Sequence, residues 1–128
     1  TVSKRLRNYD YKVEIRKIDM EGLKGFLLSK RDFLLRLLEN PALLEHEIFT
    51  ELLRAAFHFS EELERREKVT GLPDSDYEHL AVDVKRAYTL LVQQWLEYMK
   101  YLKDNYPYLF SLAMRTNPFD QTASPFVK

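Results

Sequence analysis

The residues most able to carry chemistry are three histidines, His46, His58 and His79, among many carboxylates. Two imidazoles that bind one metal from the same helix need a spacing of three or four residues, and these histidines lie twelve and twenty-one residues apart. Asp76 stands three residues before His79 and forms the one pair in carboxylate–histidine order at that spacing. A di-iron bundle needs two Glu-x-x-His motifs, which the sequence lacks. We therefore expect each histidine to make an ordinary polar contact.

Other residue types that support catalysis are missing from the sequence. It contains no cysteine, which excludes disulfides, thiolate zinc sites and cysteine nucleophiles. The three glycines, Gly22, Gly25 and Gly71, form no phosphate-binding loop, and no serine stands in a nucleophile elbow. Asp83 and Glu97 fall on the polar side of a predicted helix. The sequence thus predicts no catalytic residue, no metal ligand, no cofactor and no enzymatic activity.

The composition is typical of one globular domain of 128 residues. Twenty basic and twenty acidic residues give a net charge of zero, without the basic footprint of a nucleic-acid-binding protein. No apolar run approaches the ~20 residues that cross a bilayer. The charge is uneven, since residues 1–17 are basic and residues 39–67 are acidic. The basic segment could lie near phosphates or lipid headgroups, or it could be a solvated terminus.

A heptad stripe on one long helix is the strongest structural signal. A helix from about Ser75 to Asn105, opened by a capping box of Ser75 and Glu78, would run roughly 45 Å. Such a stripe needs a helical partner of similar length, so it predicts a bundle, with Tyr88 and Trp95 as anchors of its core. The stripe follows 4-3-4-3 steps through Tyr77, Ala81, Val84, Tyr88, Leu91, Trp95, Tyr98 and Leu102.

Two helices are predicted before the long helix and a short one after it. Asp19 is the predicted N-cap of a first helix that ends near Asn40. Asn40 in turn caps a second helix that continues to about Lys68, where a turn over residues 69–74 reverses the chain. A short fourth helix is predicted over residues 107–116.

Residues 9–18 alternate between apolar and charged side chains, as in a half-buried strand. A lone strand has two unpaired edges, so it pairs either with a strand upstream or with its copy in another subunit. Thr1 is either the residue left after removal of an initiator methionine or the start of a fragment. We predict a basic segment with a short strand at 1–18, a helical bundle at 19–120 and a flexible tail at 121–128.

Aromatic residues crowd the end of the long helix. They could close the core of the bundle, form an interface or line a ligand pocket. Phe119 and Phe126 could dock from the C-terminal segment. The predicted interface combines the strand with this aromatic cluster and comprises Tyr11, Val13, Ile15, Tyr106, Tyr108, Phe110 and Phe119.

Four stretches form a familiar set: 37–47, 75–80, 86–88 and, most specific of all, 106–120, which begins Tyr-Pro-Tyr-Leu-Phe. Together they resemble the soluble C-terminal region of prokaryotic potassium-channel-like proteins that have a two-helix pore module upstream. The resemblance implies the cytosolic part of a membrane protein, on the cytoplasmic side of the cell membrane and joined to a pore in the same polypeptide. No filter-like run of residues is present, so conduction is not assigned to this chain.

The sequence therefore predicts an all-α fold, an up-down bundle of three main helices with a short C-terminal helix and one short N-terminal β-strand. The expected function is that of a non-enzymatic regulatory or assembly domain of an ion-channel-like membrane protein, which forms a homo-oligomer. The alternative is a free-standing helical adaptor or signalling module that binds a protein partner. A third alternative is an enzyme or metal sensor that uses His46, His58 or His79.

Overall fold

The structure, a computed structural model, describes residues 14–120 and 122–126. These residues are all helical or irregular, and no strand occurs among them. A single 3₁₀ turn, Ile15–Lys17, precedes six α-helices. The helices are α1 (Met20–Ser29), α2 (Arg31–Leu38), α3 (Pro41–Leu44), α4 (Glu47–Glu64), α5 (Asp74–Asn105) and α6 (Pro107–Arg115). The predicted all-α class is confirmed for the part of the chain that is described.

The strand predicted over residues 9–18 lies mostly outside the described residues. Its last part forms the 3₁₀ turn instead, and Ile15 is buried in the core of its own chain with 8% of its surface exposed. Arg16 from this turn places its guanidinium 4.5 Å from the centroid of the Tyr77 ring and pairs with Asp74. The turn is therefore held at the start of α5 by the buried Ile15 side chain and by the cation–π contact and ion pair of Arg16.

The first predicted helix begins at its expected cap but is broken in the middle. The Asp19 carboxylate accepts a hydrogen bond of 3.0 Å from the backbone N–H of Gly22. The single helix expected to reach Asn40 ends at Ser29, whose hydroxyl donates to the Phe26 carbonyl at 2.6 Å. A serine that bonds back to the preceding turn competes with the helical ladder, and this contact lies at the break between α1 and α2.

The second predicted helix is also divided. The Asn40 side chain caps α3 by accepting from the Ala42 N–H at 3.0 Å, as the Asn-Pro sequence predicts. The helix then stops after one turn, because His46 adopts an extended backbone (φ −92°, ψ 101°). A new helix, α4, begins at Glu47 and ends at Glu64 rather than near Lys68. The prediction of one continuous helix was right at its start, and it was wrong at the break near His46 and at its C-terminal end.

The connection from α4 to α5 is held by side chains of α1. Lys24 Nζ donates to the carbonyl oxygens of Arg66 at 2.5 Å and Glu67 at 3.3 Å, close to the negative end of the α4 dipole. Glu21 accepts a hydrogen bond from the Val69 N–H at 2.8 Å. Gly71 follows in a left-handed conformation with φ of 68°, which glycine adopts without a steric penalty.

The long helix α5 begins and ends close to the predicted residues, but its cap differs. Pro73 occupies the N-cap position, and no side chain caps the helix. The predicted capping box of Ser75 and Glu78 does not form. At the other end, Tyr106 separates α5 from α6, because Pro107 disfavours a helical conformation in the residue before it.

The core lies where the 3₁₀ turn, α1, the end of α4 and the start of α5 meet. Its buried residues include Leu63 and Leu80, which are both 0% exposed. Helix α2 joins the bundle from the side through Arg31, which pairs with Glu61 at 3.0 Å and also with Glu64. The whole cluster consists of Ile15, Met20, Phe59, Leu63, Val69 and Leu80.

The C-terminal segment folds back on α6 instead of leaving the domain. The Ser124 N–H donates to the Arg115 carbonyl at 2.8 Å, and Arg115 Nε donates to the Pro125 carbonyl at 3.1 Å. Ser124 and Pro125 thus contact α6, and the flexibility predicted for 121–128 stays a prediction. None of the described helices has the length and apolar character needed to traverse a bilayer.

Candidate functional site

Helix α5 is much longer than the helix it packs against. Its 32 residues span about 48 Å, whereas the 18 residues of α4 span about 27 Å. The two helices are antiparallel, because Glu62 near the end of α4 faces His79 near the start of α5. At their other ends His46 and Tyr98 line the same groove. The last turns of α5 therefore extend beyond α4.

The heptad stripe of α5 is covered by packed residues along only part of its length. In its first half, Tyr77, Ala81 and Val84 are partly buried against the core cluster. In its second half, Leu91 is 45% exposed and Tyr98 is 53% exposed. Leu102, the last residue of the stripe, is buried, with 4% of its surface exposed. The partner that the stripe requires is present for the first half and incomplete for the second half within this chain.

The exposed half of the stripe borders an open groove of about 570 Å³ between the start of α4 and the second half of α5. We call it the aromatic groove. Tyr101, 52% exposed, extends its wall. The groove is lined by His46, Phe49, Leu52, Leu91, Gln94, Trp95, Glu97, Tyr98 and Tyr101.

The residues predicted from the sequence to form an interface are not gathered in one place. Tyr11 and Val13 lie outside the described residues, and Ile15 is in the core. Tyr106 is 50% exposed beside the groove, with its ring 6.0 Å from that of Tyr101. On α6, Tyr108 is 92% exposed. Phe110, also on α6, is half-buried.

Phe119, the last of the predicted interface residues, docks within its own chain. Its ring meets the rings of Tyr88 and Trp95 edge-on, with centroid distances of 5.9 and 5.4 Å. Tyr88 and Trp95 are not the buried anchors that we expected, since Tyr88 is 39% exposed and Trp95 is half-buried. The C-terminal segment covers them from one side.

A charged network lies at the far end of the α4–α5 pair. Arg66 donates to both carboxylate oxygens of Asp76, at 2.8 and 2.6 Å, and to Glu62 Oε2 at 2.9 Å. These charge-assisted bonds lower the pKa of Asp76 and of Glu62 and raise that of Arg66, since each stabilises the ionised form. His79 adds a smaller contribution to the lowered pKa of Glu62. Both carboxylates are therefore anionic at neutral pH.

Two histidines adjoin this network, at the edge of the same helix pair. His58 Nε2 lies 3.6 Å from Glu62 Oε1 and 3.7 Å from Asp83 Oδ1. His79 Nε2 lies 3.4 Å from the same Glu62 oxygen and 3.7 Å from Asp83 Oδ2. Each imidazole is about half exposed, and the Asp83 side chain is 12% exposed. We call these four residues the histidine–carboxylate cluster.

Reasoning from the spacing between histidines missed this cluster. The readable signal is a histidine followed four residues later by a carboxylate, which occurs as His58 with Glu62 and again as His79 with Asp83. Residues four apart share a helix face, and antiparallel packing brings the two faces together. Asp83 was expected to be solvent-exposed and is largely buried. His46, by contrast, is exposed and lies at the start of α4 in the aromatic groove.

The described residues thus form a helical domain that carries the aromatic groove and the histidine–carboxylate cluster. Residues 1–115 match the family described as the C-terminal helical domain of the uncharacterized protein MJ1433, and the chain belongs to this family. It is 58% identical over 117 residues to the uncharacterized protein MJ1433 of Methanocaldococcus jannaschii, which covers 91% of this chain and 47% of that protein. The chain thus spans about half the length of this relative. No solved structure matches the chain.

The family membership corrects the resemblance to potassium-channel-like proteins. Neither the family nor the relative has a link to potassium channels, so that assignment was wrong. The predicted upstream pore and the position beside a membrane rested on the same resemblance and lose their basis with it.

Proposed function

We propose that this chain is a non-enzymatic assembly domain, in which the exposed half of the α5 stripe pairs with a second copy of the same chain. The observation that carries the proposal is the exposure of Leu91 and Tyr98 at stripe positions where a helical partner is required. The aromatic groove beside them offers the concave surface into which a helix ridge of the partner packs.

The physical driving force is the burial of apolar surface. Each Å² of apolar surface removed from water contributes about 25 cal/mol, and aromatic side chains supply the largest areas. Tyrosine is also enriched at protein interfaces, because its ring is apolar while its hydroxyl can reach water. Tyr98, Tyr101 and Tyr106, each about half exposed around the groove, have this property.

The charges that flank the exposed stripe suit pairing between identical chains. The last turns of α5 carry both signs, with Glu97 and Asp104 beside Lys100 and Lys103, all exposed. A surface of one sign would repel its own copy, whereas a mixed surface lets lysines of one chain face carboxylates of the other. A second copy is therefore the occupant that we propose.

The length of the relative supports a role within a larger protein. MJ1433 is about twice as long as the stretch it shares with this chain. A helical domain with an exposed seam would join two such proteins while other parts of each carry different functions. This placement, like the assembly itself, is a proposal.

The test is the oligomeric state of charge variants in the seam, measured by size-exclusion chromatography with light scattering. Leu91→Glu and Tyr98→Glu should shift the chain to a monomer, because each buries a carboxylate in the proposed interface. Val82→Glu is the matched control, since Val82 lies on α5, is 65% exposed and is outside the stripe. It should leave the oligomer intact.

The outcomes separate two kinds of partner. Loss of the oligomer in both stripe variants but not in Val82→Glu supports self-assembly. A chain that is monomeric before any substitution overturns it and would leave the groove to an unrelated protein. Equal effects of all three variants would also overturn it, because the contact would then not involve the stripe.

A further inference from the structure

We propose that the histidine–carboxylate cluster, His58, Glu62, His79 and Asp83, binds one divalent transition-metal ion such as Zn²⁺ and thereby joins α4 to α5. The inference is independent of the proposed self-assembly, since the cluster and the aromatic groove lie at different ends of the helix pair. It rests on the distances between the four side chains, on their burial and on the chemistry of their atoms.

The distances fit metal ligands better than hydrogen-bonded partners. Nitrogen–oxygen hydrogen bonds are 2.7–3.2 Å long. The four distances from His58 and His79 to the carboxylate oxygens are 3.4–3.7 Å, which is longer than such bonds. Ligands about 2.0–2.1 Å from a tetrahedral Zn²⁺ lie roughly 3.3 Å from one another. A shift of a few tenths of an ångström would bring each of these four nitrogen–oxygen pairs to that separation.

Three of the residues already form a group around one point. Ligand atoms of His58, Glu62 and Asp83 all lie within 4.8 Å of one another. His79 shares Glu62 Oε1 with His58 and approaches the second oxygen of Asp83. His58, Glu62 and Asp83 thus supply three ligands, and His79, which lies outside this group, would turn toward them to supply the fourth.

One carboxylate oxygen in the cluster lacks a hydrogen-bond donor. Asp83 Oδ2 is buried and has no such partner among the described residues. Buried acceptors are nearly always satisfied, because an unsatisfied one loses its hydration without compensation. This oxygen lies 3.7 Å from His79 Nε2, inside the cluster. A cation there would satisfy it.

The neighbouring arginine orients the Glu62 ligand. Arg66 donates to Glu62 Oε2 at 2.9 Å, whereas the two imidazoles face Oε1. The carboxylate is thereby held in place by one oxygen and free to coordinate with the other. Such outer partners are a common part of protein metal sites, where they fix the direction of a ligand.

The ligand atoms of the cluster, imidazole nitrogens and carboxylate oxygens, determine which class of metal ion would bind. Imidazole nitrogens favour Zn²⁺ and other first-row transition ions, whereas Mg²⁺ and Ca²⁺ prefer oxygen ligands alone. Four protein ligands would fill a tetrahedral site and leave no open position for a substrate. The ion would therefore stabilise the contact between the two helices and would carry no catalytic step.

Equilibrium dialysis of the purified chain against Zn²⁺, with metal content measured by mass spectrometry, tests the proposal. We expect one Zn²⁺ per chain and no comparable binding of Mg²⁺. His79→Asn and Asp83→Asn should weaken Zn²⁺ binding at least about 10-fold, since even the loss of an outer partner has that effect. His46→Asn is the matched control and should bind like the unmodified chain, because His46 is exposed and lies outside the cluster.

Urea unfolding with and without Zn²⁺ provides a second readout. An ion that binds only the folded chain raises the unfolding midpoint, and His58→Asn should remove this shift. His58 is about half exposed, so this variant should fold even if Asp83→Asn does not. No stoichiometric Zn²⁺ in the unmodified chain would overturn the proposal. So would equal loss of binding in His46→Asn and His79→Asn.

Discussion

The ring of Phe119 lies edge-on to the indole of Trp95, with 5.4 Å between their centroids. This contact fastens the segment after α6 to the middle of α5, and Tyr88 contacts Phe119 in the same way at 5.9 Å. Because Trp95 is the sole tryptophan of the chain, its fluorescence reports directly on this contact. The C-terminal segment is thus part of the folded domain as far as the described residues extend.

Phe119→Ala should lower the free energy of unfolding by about 1–2 kcal/mol. Full burial of a phenylalanine ring would give 3–5 kcal/mol, and Phe119 is half-buried with two edge-on aromatic contacts. The emission of Trp95 should also move to longer wavelength as water reaches the indole. Urea unfolding followed by fluorescence measures both effects.

Phe126→Ala is the control for this prediction, because Phe126 is 78% exposed. Its effect on stability should stay within about 0.5 kcal/mol. An unchanged Trp95 emission in Phe119→Ala would mean that the C-terminal segment does not dock on α5.

Leu80→Ala should be the more damaging of two substitutions near the start of α5. Leu80 is 0% exposed in the core cluster, so its truncation should cost about 2–5 kcal/mol. Val82→Ala, two positions away and 65% exposed, should change stability by less than about 0.5 kcal/mol. Thermal or urea unfolding of both variants checks the location of the core. Similar losses in the two variants would contradict it.

Two glycine substitutions should change the free energy of unfolding in opposite directions. Gly71→Ala should destabilise the chain by about 1 kcal/mol or more, because alanine is strained at a φ of 68°. Gly25→Ala should stabilise it by up to about 1 kcal/mol, since Gly25 lies inside α1 with open space around it. Paired unfolding curves measure the difference. A stabilising Gly71→Ala would show that the turn has another backbone conformation.

Asp76→Asn should lower the free energy of unfolding at neutral pH. It should also remove part of the loss of stability that the unmodified chain shows at acid pH. Arg66 lowers the pKa of Asp76 in the folded chain, with Glu62 and His79 also near the pair. A lowered pKa stabilises the fold above the unfolded value of about 3.9, and this contribution is lost as the pH falls through the folded pKa. We expect a loss of about 1–3 kcal/mol at pH 7.

The comparison of the two chains across pH supplies the check on this prediction. Unfolding midpoints of the unmodified chain and Asp76→Asn should converge as the pH decreases below about 4. A constant difference between them across that range would show that the ionisation of Asp76 makes no contribution.

Much of the helical content followed from local rules, whereas the breaks did not. Asp19 and Asn40 cap helices as their side-chain chemistry predicts, and Pro107 begins α6. The breaks near Ser29 and His46 depend on how α2 and α3 turn to reach α4, which is a tertiary effect. Heptad periodicity identified the stripe on α5 but did not show where a partner would cover it.

The histidine–carboxylate cluster shows a different limit of sequence reasoning. His58 and His79 lie 21 residues apart on different helices, and only the antiparallel register of α4 and α5 brings them to the same carboxylates. That register depends on the turn length and core packing as well as on helix periodicity. The i, i+4 pairs within each helix were visible in the sequence and would have supported the site once the register was known.

Self-assembly through the exposed α5 stripe is the central claim, and the mass of the unmodified chain in solution tests it most directly. Sedimentation equilibrium over a range of concentrations should give twice the chain mass of 15.3 kDa. A mass of 15.3 kDa at every concentration would contradict the claim.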